Sequence, residues 1–243
     1  SALMIGVALV TMMSVLGASA KASLDQSLSE DIVADFVVSN AVGQAFSSTV
    51  ADQIEPVDGV AAVARVRSAV LQVDGDRDFA SAVDPSAVDA VARPEIVTGT
   101  LADLDATSVA ISSELAADRG WAVGSTVSIG YAGATTDATV VATYVEGAVL
   151  QSDVTMSLEG FDAIGVPPTD RTVYVLAAPG VDREVLGAAL KDVVVDLPTV
   201  TVNDQETFAQ EQRAPIDQLL FIVYALLGLA VVMPVLGHAS WHA

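Results

Sequence analysis

Uncharged apolar residues occupy both ends of the chain. Residues 2–20 read ALMIGVALVTMMSVLGASA and residues 219–237 read LLFIVYALLGLAVVMPVLG. Nineteen residues of α-helix extend about 28 Å, close to the roughly 30 Å hydrocarbon thickness of a bilayer. Both runs are therefore predicted to be transmembrane helices. Two spans place both termini on one side of the membrane and the long intervening segment on the other.

The first run also has a feature of a secretory signal peptide. Ala18-Ser19-Ala20 matches a small-residue cleavage site, after which a mature chain would begin at Lys21. However, no basic segment precedes the run, and it is longer than the usual apolar core of a signal peptide. A transmembrane helix is the favoured interpretation, and cleavage after Ala20 is the alternative.

Helical signals continue inward from both runs. Leu24, Leu28 and Ile32 recur every fourth residue, so the first helix is expected to extend about two turns beyond the membrane. Asn203 followed by Glu206 has capping-box spacing, which predicts a helix that starts there and enters the second run. We therefore expect a first transmembrane helix and stalk at 1–30, an outer domain at 31–202, a second stalk and transmembrane helix at 203–237, and a tail at 238–243.

The outer domain shows a mixture of strand and helix patterns. Because these do not follow strict βαβ alternation, the predicted fold class is α+β. Ser112 or Ser113 is expected to cap the N-terminus of a short helix and Gly120 its C-terminus. Strands are predicted at 31–40, 108–111, within 121–129, 137–145, 171–178 and 199–202, and helices at 47–54, 113–119 and 182–194.

A hairpin is predicted in the first half of the domain. Residues 64–70 alternate with period two, Asp74-Gly75-Asp76 forms the turn, and residues 79–83 return. The turn sequence DGDRD resembles the start of a calcium loop, which also requires Gly at position six and Glu at position twelve. Phe79 and Pro85 stand at those positions. The turn is therefore interpreted as solvated rather than metal-binding.

The charge pattern excludes nucleic acid as a partner. The net charge is −21, and all 31 acidic and 10 basic residues lie between Lys21 and Asp217. Such a surface repels phosphate backbones.

The sequence contains no pattern typical of an active site. It has no cysteine, and its two histidines, His238 and His242, both follow the second apolar run. It has no P-loop motif and no metal-binding spacing such as H-E-x-x-H. We therefore predict no catalytic, cofactor-binding or metal-binding residues and no enzymatic activity of the chain by itself.

Four segments of the chain together resemble a known family. They are SALMIGVALVTMMSVLGASAKASLD, VAISSELAADRGWAVGSTVSI, DATVVATYVEG and VNDQETFAQEQRAPIDQLLFIVYALLGLAVV. The first is similar to the first span and stalk of the FtsX-like/MacB-like permease family of ABC transporters, especially in the second repeat of long actinobacterial permeases. The next two resemble consecutive parts of the outer domain of that family, and the last resembles its second stalk and span.

The resemblance implies the domain organisation and partners. It implies that residues 31–202 form an extracytoplasmic MacB-like periplasmic core domain with an α+β lobe and a mostly β lobe at about 121–165. It also implies a bacterial multi-pass protein of the cell membrane that works with a separate cytoplasmic ATP-binding subunit and with further permease spans or a second permease copy.

The expected function is that of a permease subunit without catalytic activity. The ATPase would drive movement of the outer domain for export or extraction of a lipophilic or peptide substrate. The family normally continues into a charged cytoplasmic segment after the second span, so we expect this chain to be a fragment or to have a diverged tail. The alternative is a secreted or membrane-anchored binding domain that recruits a cell-envelope enzyme.

Overall fold

The computed structural model describes residues 11–17, 19, 32–211, 218, 221, 222 and 225. The chain divides into two compact units. One is Leu28–Gln205, and the other comprises the terminal segments Ser1–Ser27 and Glu206–Ala243.

The predicted transmembrane runs, 2–20 and 219–237, lie mostly outside the described residues. Residues 11–17 and 205–211 are helical. Within the part of the chain that the structure describes, no helix combines the length and the apolar character needed to cross a membrane.

A large mixed sheet dominates the unit Leu28–Gln205, so the α+β fold class is confirmed. Its strand order is β11-β1-β10-β3-β4-β9-β6-β8-β5, while β2 pairs with β10, and β7 pairs with β3 and β8. The β4–β9 and β6–β8 pairs are parallel, and the other pairs are antiparallel. The strands are β1 Phe36–Asn40, β2 Phe46–Ser47, β3 Val60–Val73, β4 Asp76–Val83, β5 Ile96–Gly99, β6 Ser108–Ser112, β7 Thr126–Tyr131, β8 Ala134–Tyr144, β9 Val154–Ser157, β10 Thr169–Ala177 and β11 Val200–Asp204.

Five short helices and one 3₁₀ turn lie between these strands. They are α1 Thr49–Ile54, α2 Pro85–Val91, the 3₁₀ turn Leu101–Asp103, α3 Ser113–Arg119, α4 Leu158–Ala163 and α5 Arg183–Val193. The predicted caps of α3 are confirmed, because the Ser112 hydroxyl accepts a hydrogen bond from the Leu115 N–H and Gly120 adopts a left-handed conformation.

Two tight turns define the register of the two long hairpins. Asp74 and Gly75 join β3 to β4 with φ of 53° and 91°, and Ala132 and Gly133 join β7 to β8 with φ of 49° and 92°. Positive φ at both central residues is typical of the turn whose twist matches paired strands. The predicted hairpin around Asp74 is therefore confirmed.

Two clusters of buried apolar residues, here called the first and second core, are found on the sheet among the described residues, and β3 contributes to both. Val60 and Val63 pack against the first core, whereas Leu71 and Val73 belong to the second. The first core lies under α1 and α5 and consists of Phe36, Val38, Phe46, Val50, Ala51, Ile54, Val173, Val175, Leu186, Leu190, Val194, Val200 and Val202. The second lies under α3 and α4 and consists of Leu71, Val73, Ala80, Ala82, Val109, Ile111, Leu115, Val127, Ile129, Ala138, Val140, Val154, Met156, Phe161 and Val166.

The structure corrects several predicted boundaries. Asn203 does not cap a helix but lies in β11, paired with Val37, and the helix begins at residue 205. The pairing of β11 with β1 thus extends beyond the predicted boundary. The strand predicted at 31–40 begins only at Phe36. Six short elements were not predicted from the sequence: β2, α2, β5, the 3₁₀ turn, β9 and α4.

Gly99 has a steric role that can be tested. We expect Gly99→Ala to destabilise the domain by about 2–4 kcal/mol, because its φ is 77° and a Cβ there would collide with the Val141 carbonyl oxygen. Chemical denaturation of the two proteins measures the difference.

Gly133→Ala is the matched control. Gly133 also has a positive φ, of 92°, but no atom lies within 4 Å of its added Cβ. This variant should lose only about 1 kcal/mol of backbone strain. Equal losses for the two variants would show that the contact with Val141 is unimportant.

Candidate functional site

The first and last strands of the Leu28–Gln205 unit are neighbours in the sheet. β1 and β11 are antiparallel neighbours, and Phe36 at the start of β1 lies opposite Asp204 at the end of β11. The Gln205 side-chain amide donates a hydrogen bond of 2.9 Å to the Ile32 carbonyl oxygen. Displacing one of these segments relative to the other would therefore act directly on a pair of bonded strands.

A network of charged side chains lies where β3 passes from one core to the other. Arg67 on β3 is 6% exposed. Its Nη1 donates to Asp162 Oδ1 on α4 at 2.6 Å, and its Nε donates to Asp170 Oδ1 on β10 at 3.3 Å. One guanidinium thus joins a helix that packs on the second core to a strand of the first.

Asp170 is fully buried, and its second oxygen, Oδ2, has no hydrogen-bond partner among the described residues. Burial raises the pKa of Asp170 above its ordinary value, although the nearby Arg65 and Arg67 charges oppose that shift. The two arginines therefore compensate only part of the cost of burying this carboxylate.

Arg65 joins the same region to α1. Its Nη2 contacts Asp52 at 2.9 Å and Glu55 at 3.4 Å. The side chains of these two acids are 59% and 58% exposed, so water screens their attraction to Arg65. The Arg67 side chain is 8% exposed and that of Arg65 is 15% exposed, so Arg67 is the more deeply buried of the two.

Buried hydroxyl groups hold the segment between β8 and β9 on the sheet. Tyr144 donates to the Ser152 carbonyl oxygen, and its hydroxyl lies 2.9 Å from Thr155 Oγ1. Ser81 lies 3.0 Å from Thr155 Oγ1 and accepts a 2.7 Å hydrogen bond from the Ser152 hydroxyl. Burial raises the pKa of Tyr144, so the hydroxyl remains protonated and available as a donor. This network has a structural role.

Several acidic side chains lie near Glu146, in the segment between β8 and β9. Partial burial raises the pKa of Glu146, and the negative charges of Asp153, Glu114 and Asp78 add to this shift. Burial and these neighbouring negative charges both disfavour the ionised form of Glu146.

The aspartates of the β3–β4 turn make contacts within the protein. Asp76 pairs with Arg119 at 2.7 Å, and Asp78 accepts a 2.7 Å hydrogen bond from the Phe79 N–H. Within the residues described, no group of His, Cys, Asp or Glu is arranged to hold a metal ion. His238 and His242 lie outside the described residues.

An open cleft of about 310 Å³ lies beside the end of α2. Its lining includes Arg93, Pro94, Ile96 and Leu101. The Arg93 guanidinium donates to the carbonyl oxygens of residues 89 and 92, at 2.7 and 2.8 Å, and so stabilises the C-terminus of α2. The cleft therefore combines apolar walls with a cation that already bonds to the backbone.

The chain also matches a known family of protein domains. Residues 1–193 match the family described as MacB-like periplasmic core domain. The chain belongs to this family. The resemblance to FtsX-like/MacB-like ABC transporter permeases noted in the sequence is thus confirmed. No match was found among curated proteins.

Two solved structures share the fold of this MacB-like domain. The periplasmic region of MacB from Actinobacillus actinomycetemcomitans has a TM-score of 0.55 at 12% identity, over 74% of this chain and 92% of that one. The extracellular domain of the noncanonic ABC-type transporter YknZ from Gram-positive bacteria has a TM-score of 0.51 at 13% identity, over 70% of this chain and 98% of that one. The first is thus a periplasmic region, and the second is an extracellular domain of a transporter.

The charge network of the MacB-like domain was not predicted from the sequence. The alternation of residues 64–70 places Arg65 and Arg67 on one side of the strand, but it does not indicate that Arg67 is buried. Asp162 and Asp170 are 95 and 103 residues away from Arg67, so no local pattern relates them to it. An arginine between apolar residues in a strand was the one signal available.

Removing Arg67 should strongly destabilise the domain. We expect Arg67→Met to cost about 3–5 kcal/mol, because Asp170 would remain buried without its ion-pair partner. Urea denaturation measures the loss. Arg65→Met is the control, and its cost should be smaller because both carboxylate partners of Arg65 are largely exposed.

Adding Asp170→Asn to Arg67→Met tests the reason for the loss. The double variant should be more stable than the sum of the two single effects, since it no longer buries an uncompensated charge. Strictly additive losses would contradict this explanation.

Glu146→Gln should stabilise the domain at neutral pH by less than about 1 kcal/mol, because Glu146 is exposed and partly screened. A protein loses stability when an acid has a higher pKa in the folded state than in the unfolded state. The loss occurs as pH rises from the ordinary pKa of that acid, here 4.5, to the raised pKa. The extra stability of Glu146→Gln should thus be constant above that pH interval and vanish below about pH 4. Thermal unfolding across pH measures it.

The exposed Glu95 supplies the control for this prediction. Glu95→Gln removes the same charge from the start of β5. A pH-independent gain in Glu146→Gln, or an equal gain in Glu95→Gln, would exclude repulsion at Glu146 as the cause.

Proposed function

We propose that this chain is a membrane-spanning permease subunit of an ABC transporter. A separate cytoplasmic ATPase drives movement of its extracytoplasmic domain, residues 31–202, for export or extraction of a lipophilic or peptide substrate. The family match over residues 1–193 is the observation that carries this proposal, because it includes the first predicted span as well as most of the domain.

The geometry at the ends of the domain favours a mechanical role. Since Phe36 and Asp204 lie opposite each other on β1 and β11, two membrane helices that approach or separate would load one strand pair. That strand pair is connected through β10 to β3, which contributes to both cores. A displacement at the membrane would therefore reach the whole sheet without a separate hinge domain.

Cysteine labelling tests the proposed topology. The chain has no cysteine, so a single introduced thiol is a unique probe. In intact cells, a membrane-impermeant maleimide should label Asp118→Cys on the exposed surface of α3. Ser240→Cys, in the tail beyond the second predicted span, should be labelled only after permeabilisation.

The opposite labelling pattern would overturn the proposed topology. N-terminal sequencing of the membrane-extracted protein is a second test, since a mature chain that begins at Lys21 would favour the anchored binding domain instead.

Coupling to ATP hydrolysis is tested by co-expression with an ATP-binding subunit from the same genome. A stable complex that hydrolyses ATP is expected, whereas the purified chain alone should not hydrolyse it.

A further inference from the structure

An exposed apolar pair lies on the β3–β4 hairpin. Val70 on β3 is directly opposite Phe79 on β4, and their exposed fractions are 56% and 41%. Because side chains alternate along a strand, the neighbouring Leu71 and Ala80 point to the other face, where both are buried in the second core. One face of the hairpin is therefore part of a core, and the other presents a valine and an aromatic ring to solvent.

Two arginines flank this apolar pair on the same face. Arg77 precedes Phe79 by two residues on β4, so it lies on that face and nearer the turn. The neighbours of Arg171 in β10 pair with residues 66 and 67 of β3, so the Arg171 backbone lies on the side away from the turn. The Arg171 Cζ is 5.8 Å from the centroid of the Phe79 ring, which is a cation–π distance. The apolar pair thus has a cation on each side.

The protein supplies no carboxylate to these two cations. Arg77 and Arg171 are exposed, and neither forms an ion pair within the part of the chain that the structure describes. β3 contains no acid, and the two acids of β4, Asp76 and Asp78, lie opposite Val73 and Leu71 on the core face. Against a net charge of −21, this face of the hairpin is therefore locally positive.

The positions of the arginines indicate which ligand would fit. A lipid carries its charge at one end and would need both cations on one side of the apolar pair, whereas here the pair lies between them. In an extended peptide, residues i, i+2 and i+4 point to the same side at intervals of about 6.5 Å, the spacing that also separates Arg77 from Phe79 along β4. A peptide with an apolar side chain at i+2 and carboxylates at i and i+4 therefore complements this surface.

We propose that this face of the hairpin, called the Phe79 patch, binds an extended acidic segment of another protein. The patch consists of Val70, Gln72, Arg77, Phe79 and Arg171. An apolar side chain of the segment packs on Val70 and Phe79, and its carboxylates pair with the two arginines. Gln72, exposed and opposite Arg77, supplies an amide that can bond to the peptide backbone.

The composition of the patch and the charge around it limit the partner. Phenylalanine and arginine are both enriched where proteins bind one another. Two extensive acidic surfaces repel each other, so the domain favours a short segment over a second copy of itself. This binding concerns a protein partner, and it does not depend on ATP hydrolysis or on transport.

Selection from a displayed library of random peptides tests the patch, with the full chain in detergent micelles as the target. Peptides retained by the parent should be enriched in an apolar residue with an acid two positions away on each side. Arg77→Gln/Arg171→Gln should not enrich this pattern. Arg183→Gln/Lys191→Gln is the matched control and should enrich it as the parent does, because it removes two exposed cations from α5 and changes the net charge equally.

Fluorescence anisotropy with one enriched peptide measures the affinity. Loss of both patch arginines should weaken binding about tenfold, since each exposed charge contact contributes modestly. Phe79→Ser should weaken it several-fold, whereas Val185→Ser, at an exposed valine of α5, should leave it unchanged. Added salt should also weaken binding, because it screens exposed charges. Circular dichroism checks that each variant is folded.

Four results would overturn the proposal. If the pattern is not enriched, or if Arg77→Gln/Arg171→Gln enriches it equally, the patch does not select acidic segments. If phosphatidylglycerol added to the micelles displaces the bound peptide, the ligand is a lipid headgroup. If light scattering shows that the parent dimerises and Arg77→Gln/Arg171→Gln does not, the occupant is a second copy of the chain.

Discussion

The ion pair between Arg67 and Asp170 lies on β3, the strand that contributes to both described cores. β3 has 14 residues, its first half packs on the first core, its second half contributes to the second, and Arg67 lies between them. A buried charge is retained only with a partner of opposite charge. β10 supplies Asp170 and α4 supplies Asp162, so the partners of Arg67 come from both cores.

The same sheet connects this junction to the ends of the domain. β11, β1, β10 and β3 are consecutive neighbours, so the strand pair that receives the chain termini of the domain is two strands away from Arg67. The sheet is therefore continuous from the strands at the ends of the domain to Arg67. The acidic surface, which gives the chain a net charge of −21, also disfavours adhesion of the domain to anionic lipid.

Local chemistry accounts for the elements that could be predicted. The hairpin turn at Asp74-Gly75 and the helix 113–119 were found because Asp-Gly, Ser112 and Gly120 act through neighbouring backbone groups. Elements of four to seven residues, such as β5 and α4, carry too few residues to establish a period and were missed. At Asn203 a capping pattern was present, but pairing of β11 with β1 kept the residue extended.

The sequence by itself determined the class of this protein: two uncharged apolar runs, an acidic α+β domain between them, and motifs of a MacB-like permease domain. These properties depend on composition, short-range periodicity and neighbouring residues. Tertiary structure alone decided that β3 serves two cores and that Arg67 is buried against carboxylates about 100 residues away. The physical reason is that burial and ion pairing depend on which strands become neighbours, and the alternation along β3 is the same whether an arginine faces water or a second core.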